Sequence, residues 1–451
     1  MPLCAGGVRR RRAGVLMHLT CLPAALGRGG RAFIDWLALA GFRVWQFLPL
    51  GPTGPDGSPY WVRSDSAGNP ALLDPQELPA ARGAEFDAFI EREADWLEDY
   101  ACFEVLSALE AGTPWWRWPA PYREREPAAL QGLRREHARA FAAVTARQFA
   151  FHWQLAHLRD YAHARGVELF GDLPFYVAPD SAETWCQRAQ FQLDAHGQPL
   201  ALAGVPPDYF SPAGQLWGNP LYDWNAMRHD GFAFWRGRVR RQLLKFDLLR
   251  LDHFRALAAH WAVPAGAPDA RGGSWKRTPG RALLAMLREE LGPLPIVAED
   301  LGVITPDVDD LRREFALPGM RVLQFAFDGS GVNPHLPHMH ERDSTVYTGT
   351  HDNDTTLGWY RGLTEAERER VDAFLGAPNC GMPAALMRTA LASVGTLAVL
   401  PVQDLLALGS EARFNTPATV QGNWRWQLPP EALTPALAAR ELELLRLYGR
   451  A

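Results

Sequence analysis

The stretch "LLRLDHFRAL" at residues 248–257 decides how the whole chain is read. Leu248, Leu249 and Leu251 have the look of a buried strand, yet Arg250, Asp252, His253 and Arg255 sit inside it or at its end. Buried charge is costly unless it is paired or hydrogen-bonded. Side chains alternate along a strand, so Arg250 and Asp252 face the same way. A guanidinium beside a carboxylate favours the charged form of both, which suits a nucleophile that must stay ionised.

Short apolar runs of the same kind recur along the chain, separated by helical patterns, as a parallel sheet of βα units requires. Eight candidate strands stand at 13–19, 43–50, 167–174, 248–253, 295–301, 322–327, 344–350 and 397–406. Eight is the number that closes a (β/α)8 barrel, so the expected fold is an α/β TIM barrel with insertions at the C-terminal ends of its strands. Residues 1–451 are read as one catalytic barrel. Residues 51–166 carry a mostly helical insertion, centred on "EFDAFIEREADWLEDYACFEVLSALE" (85–110). Residues 175–247 carry an aromatic-rich insertion, where "GVPPDYFSPAGQLWGNPLYDW" (204–224) reads as an ordered loop. "GRGG" (27–30) reads as a turn, and "PALAARELELLRLYG" (435–449) as a final helix.

Composition narrows the function. A net charge of -5 and the single basic run "RRRR" (9–12) give no nucleic-acid surface. Five scattered cysteines (Cys4, Cys21, Cys102, Cys186, Cys380) have no metal-ligand spacing and suggest no disulfide framework. They fit a reducing cytoplasm. No apolar run approaches the roughly 18 residues of a membrane span. "VRRRRAGVLMHLTCLPAALG" (8–27) imitates a signal peptide, but His18 and Thr20 interrupt it and the barrel needs it as a strand.

Charge gathers where the strands end. Asp172 lies late in the third strand, Glu299 and Asp300 late in the fifth, Asp352 just after the seventh in "GTHDND", and Gln403 and Asp404 in the eighth. Singly, each has a plainer explanation: an ion pair, a helix cap, a turn, or a core histidine for His18 and His253. In a barrel they converge on one face. Carboxylates next to arginine make poor cation ligands, so a metal site is not expected. Glu299 follows the apolar Val297 and Ala298, surroundings that raise a carboxyl pKa and suit a general acid, while Asp300 has the opposite parity and should face away from the lumen. Two carboxylates with separated pKa values suggest glycosidic chemistry, with a spacing of about 5–5.5 Å in a retaining enzyme. Tyr209, Phe210, Trp217, Tyr222 and Trp224 offer flat faces for sugars.

"RLDHFRAL", "VAEDLG" and "THDNDT", with "LPLGPTG" (48–54), "GDLPFYVAPDSAETW" (171–185), "DYFSPAGQLWGNPLYDW" (208–224), "QDLLALGSEARFN" (403–415) and "GNWRWQ" (422–427), together resemble the amylomaltases, the 4-α-glucanotransferases of glycoside hydrolase family 77. The resemblance runs in order along nearly the whole chain. It implies a retaining enzyme that cuts α-1,4-glucan and passes the fragment to the 4-OH of glucose or another malto-oligosaccharide, with no metal or organic cofactor; no obligate protein partner is evident. By position it makes Asp252 the nucleophile, Glu299 the acid/base and Asp352 the grip on hydroxyls of the reacting sugar. Arg250 would hold the nucleophile charged, and His351 would bind the same sugar. Asp172 and His253 would line that subsite, and Tyr60 and Trp217 would be aromatic walls. The chain departs from the family at "HLTCLPA" (18–24), where "HPTSLPG" is usual, at Trp61 and Val62 after "SPY", and at Gln427 where Arg is common. These departures bear on acceptor preference and leave the three carboxylates untouched. A retaining α-glucan hydrolase with the same carboxylates is the alternative reading, and an inactive glucan-binding barrel the next.

Overall fold

A computed structural model describes residues 10–207, 211–376, 379–419 and 421–451. Cys4, Arg9, Tyr209 and Phe210 lie outside the described residues. Eight strands form a parallel barrel: β1 (Arg12–Leu16), β2 (Val44–Gln46), β3 (Glu168–Leu173), β6 (Leu248–Leu251), β9 (Ile296–Ala298), β10 (Gly319–Val322), β11 (Ser344–Tyr347) and β12 (Leu397–Pro401). The ladder runs β10-β11-β12-β1-β2-β3-β6-β9. The Ala298 N–H donates to the Pro318 carbonyl at 2.8 Å and draws β9 to β10, closing the ring.

The first helix, Arg28–Ala40, shows how local sequence builds the outer layer. Phe33, Ile34, Trp36, Leu37 and Ala40 recur at helical spacing and are buried. Gly41 ends the helix at φ 83°, a left-handed conformation that glycine adopts without strain. The helix begins inside "GRGG", which is therefore not a turn. Gly29 and Gly30 lie so close to the Pro23 and Ala25 carbonyls that a Cβ would stand 2.0 and 2.3 Å from them. Between β10 and β11, residues 323–343 hold only short 3-10 turns in place of a helix.

Three further expectations from the sequence are corrected. The sixth strand is Gly319–Val322, and "LQF" (323–325) is a 3-10 turn. Gly319 is what lets β10 sit there, because a Cβ would stand 2.3 Å from the Asp300 carboxylate. Gln403 and Asp404 belong to a helical turn, Val402–Leu405, past the end of β12. The stretch 204–224 is more than a loop: β4 (Ala201–Val205) and β5 (Gln215–Pro220) join β7 (Ala259–Pro264) and β8 (Ser274–Arg277) in an antiparallel sheet ordered β5-β4-β7-β8.

Residues 84–164 fold into helices with their own apolar core, including Phe89, Trp96, Phe103, Trp115, Trp118 and Phe149, with Trp185 packed against them. The long helix Ala138–Ala164 reaches back to pin the loop that carries Tyr60. Gln148 exchanges two hydrogen bonds with the Gly68 backbone at 2.7 and 2.9 Å, and Gln154 two with the Asp74 backbone, both at 2.9 Å. No helix among the described residues is long and apolar enough to cross a membrane.

Candidate active site

Residues 248–257 form β6 and the 3-10 turn after it. His253 adopts φ 48°, ψ 48°, which is uncommon for a residue with a side chain. This bend turns the chain out of the barrel just past Asp252. It also aims the His253 N–H at Glu299, whose Oε2 accepts it at 2.7 Å. The Leu301 N–H donates to the other oxygen, Oε1, at 3.2 Å.

β6 and β9 pair in register, Arg250 opposite Val297 and Leu251 opposite Ala298. One step further the same register sets Asp252 beside Glu299. Neighbouring strands lie about 4.8 Å apart, so the two carboxyl groups leave adjacent strand ends on the same face. Asp300, with the opposite parity, points out of the lumen. It accepts the Met320 N–H at 2.6 Å and meets Arg321 at 3.1 Å and Arg312 at 3.3 Å.

Arg250 is 5% exposed and divides its guanidinium between two carboxylates. Nη1 donates to both oxygens of Asp172, at 2.9 and 2.8 Å, and Nη2 meets Asp252 Oδ1 at 2.8 Å. Asp172 sits opposite Arg250 in the β3–β6 register and also accepts the Tyr60 hydroxyl at 2.6 Å. A buried cation with one partner would waste half of its fork; with two it is locked, and so is the carboxylate it holds. Burial pushes Asp172 up, against the pull of Arg250.

Burial also raises Glu299, to about 8. The Arg250 guanidinium pulls it down, and the charge of Asp252 pushes it up again. Glu299 therefore carries a proton at neutral pH. The His253 ring is neutral as well, because burial lowers it to about 4. Its Nε2 is buried without a hydrogen-bond partner among the described residues.

His351 and Asp352 lie on the loop after β11. Asp404 holds both ends of that loop, accepting Thr348 Oγ1 and Thr356 Oγ1 at 2.6 Å each and the Thr356 N–H at 2.9 Å. Asp352 Oδ1 accepts Asn415 Nδ2 at 2.6 Å and faces His351 Nε2 at 3.3 Å, and Arg413 donates to the Asp352 carbonyl at 2.7 Å. Tyr60 stacks on His351, with centroids 5.2 Å apart and planes 16° from parallel. Trp424 closes the same cluster at 6.1 Å from Tyr60 and 6.2 Å from His351. On the other side, Trp217 meets the His253 ring edge-on at 4.7 Å.

The candidates named from sequence thus form one connected cluster: Trp217, His253 and Glu299; Asp252, Arg250, Asp172 and Tyr60; His351 and Asp352. Tyr222 and Trp224 do not belong to it. They are 1% and 8% exposed and pack with Phe175 and Trp235 in the core, where the Tyr222 hydroxyl donates to the Phe175 carbonyl. A flat aromatic face serves a core as well as a sugar, and the sequence does not tell the two apart. Asp404 and Gln403 support loops instead of facing a substrate. Asn415, Arg413 and Trp424 are not among the candidates that the sequence marks. Their signal was the cluster of polar residues in "EARFN" and "GNWRW", a long way from the carboxylates in sequence. Among the described residues, no group of three or more histidine, cysteine or acidic side chains is arranged to hold a metal ion.

The model of the 4-alpha-glucanotransferase family matches residues 17–83 and 76–434. The chain is 44% identical to a 4-alpha-glucanotransferase of Thermus thermophilus, over 95% of this chain and 97% of that one. It is 40% identical to a 4-alpha-glucanotransferase of a Synechocystis species, over 98% of each. An amylomaltase from Streptococcus agalactiae, solved in complex with acarbose, superposes with a TM-score of 0.92 at 32% identity, covering 98% of this chain and 100% of that one.

Proposed function

Because the chain belongs to the 4-alpha-glucanotransferases of glycoside hydrolase family 77, we propose that its barrel mouth carries out α-1,4-glucan transfer by retaining double displacement, with Asp252 as nucleophile and Glu299 as acid/base. The chain is a 4-α-glucanotransferase, and its donors and acceptors are α-glucans and malto-oligosaccharides. The observation that carries the mechanism is the pairing of an arginine-held Asp252 with a buried, proton-bearing Glu299 on the next strand.

The chemistry follows from the electrostatics. Asp252 attacks the anomeric carbon while Glu299 gives its proton to the leaving glycosidic oxygen. Once Asp252 is esterified its negative charge is gone, and one of the causes that raise Glu299 goes with it. Glu299, having given up its proton, is then favoured in its ionised form and is free to take the proton from the 4-OH of the acceptor. Asp352, held by Asn415 and His351, grips hydroxyls of the reacting sugar. Arg250 holds Asp252 in position, and Asp172 and Tyr60 keep Arg250 in place. The rings of Tyr60, His351 and Trp424 on one side and Trp217 on the other supply walls along which glucan lies and water is displaced. A cytoplasmic place of work is part of this proposal and rests on the few, scattered cysteines of the sequence.

The test is product analysis with maltotriose. Glucose together with oligosaccharides longer than maltotriose is the expected ladder. Glucose and maltose alone would mean hydrolysis and overturn the transfer reading.

The pH profile carries a second expectation. Glu299 must be protonated to start the reaction, and it holds its proton below about 8. kcat/KM should therefore be level through neutral pH and fall above about 8, approaching tenfold per unit as the acid form is depleted. A profile that is flat to pH 10 would remove Glu299 from the role.

A further inference from the structure

His18 stands just beyond the mouth end of β1, where the sequence alone leaves it between a core histidine and a site residue. Its Nδ1 accepts the Leu48 N–H at 3.2 Å, so the ring proton belongs on Nε2. Burial lowers its pKa to about 3, with the neighbouring His351 as the second cause, and the ring stays neutral wherever the enzyme works. Nε2 has no hydrogen-bond partner among the described residues. The ring is 6% exposed and lines a cavity of about 30 Å³ that it shares with Thr350, His351, Asn353 and Arg413. That space is too small for a sugar ring. It suffices for a water, which needs about 10–15 Å³ and two or more polar partners. On the far side, His351 presents Nε2 to Asp352 Oδ1 at 3.3 Å. An acceptor there calls for the His351 proton on Nε2, which leaves its Nδ1 as an acceptor.

We propose that His18 is a positioning residue for His351: its Nε2–H donates, through one water held in this cavity, to His351 Nδ1 and so fixes the His351 proton on the side of Asp352 and the bound sugar. The inference rests on the proposed roles of His351 and Asp352. The competing role is structural, because the bond to Leu48 alone staples the end of β1 to the end of β2.

Two variants separate the roles, with kcat and KM on maltotriose and the thermal midpoint measured for each. His18→Asn places an amide where Nδ1 was, keeping the staple and losing the donor into the cavity. It should keep its midpoint and its KM within about threefold while kcat falls about 10- to 100-fold, the usual effect of removing a group that orients an active-site histidine. His18→Gln reaches the Nε2 position and should restore kcat to within about threefold of wild type, even where its midpoint is lower. A wild-type kcat in His18→Asn, loss of kcat in both variants, or kcat that tracks the midpoint would overturn the proposal. A wild-type enzyme that gave no transfer products would instead overturn the function on which it rests.

Discussion

Replacing Asp252 by asparagine should lower kcat on maltotriose about 10,000-fold or more, an increase of about 5.5 kcal/mol in the barrier, with binding of the substrate little changed. The amide fills the same volume and still reaches Arg250, so the site should keep its shape. It carries no charge to attack the anomeric carbon and cannot form the covalent intermediate. Arg250 stays anchored, because its other nitrogen remains on Asp172 at 2.9 and 2.8 Å. Steady-state kinetics and equilibrium binding on the same preparation check both halves of the expectation. A variant that keeps more than about a tenth of wild-type turnover would show that another group is the nucleophile.

The second large effect belongs to Glu299→Gln. The amide cannot protonate a leaving sugar oxygen, so kcat with maltotriose should fall about 1,000-fold, within the range for removal of a general acid. A donor with a leaving group that needs no proton, such as α-maltotriosyl fluoride, should still glycosylate the enzyme at a rate near that of wild type. The second step then stalls, since no base remains to activate the acceptor 4-OH, and the glycosyl-enzyme accumulates. The fall in kcat/KM above pH 8 should vanish in this variant. Equal losses with maltotriose and with the fluoride would mean that Glu299 serves structure and not proton transfer.

How much of this the sequence discloses depends on the distance over which the chain must be read. The barrel strands are visible because short apolar runs betray buried parallel strands, and parity along a single strand is enough to put Arg250 and Asp252 on one face. The same parity separates Glu299 from Asp300. Contacts between strands are another matter. That Asp172 takes half of the Arg250 guanidinium depends on β3 lying next to β6 after the long excursion from 174 to 247. Likewise, Asn415 reaches Asp352 only because the chain after β12 folds back over the barrel mouth. The antiparallel sheet escapes a reading by pattern for a local reason. "ALAGV" and "QLWGNP" have few β-branched residues and two glycines, and they become strands only by pairing with each other and with β7. "VLQFAF" fails the other way: its alternation imitates a strand, but after Val322 the chain turns, and the Gln324 side chain donates to the Asp354 carbonyl.

The assignment of Asp252 as nucleophile and Glu299 as proton donor is tested most directly by trapping the intermediate. Glu299→Gln enzyme is mixed with α-maltotriosyl fluoride, quenched in acid, digested and mapped by mass spectrometry. The added maltotriosyl mass should sit on the peptide containing Asp252, and fragmentation should place it on that side chain. The same mass on a different residue, or an unmodified protein after the fluoride has been consumed, would contradict it.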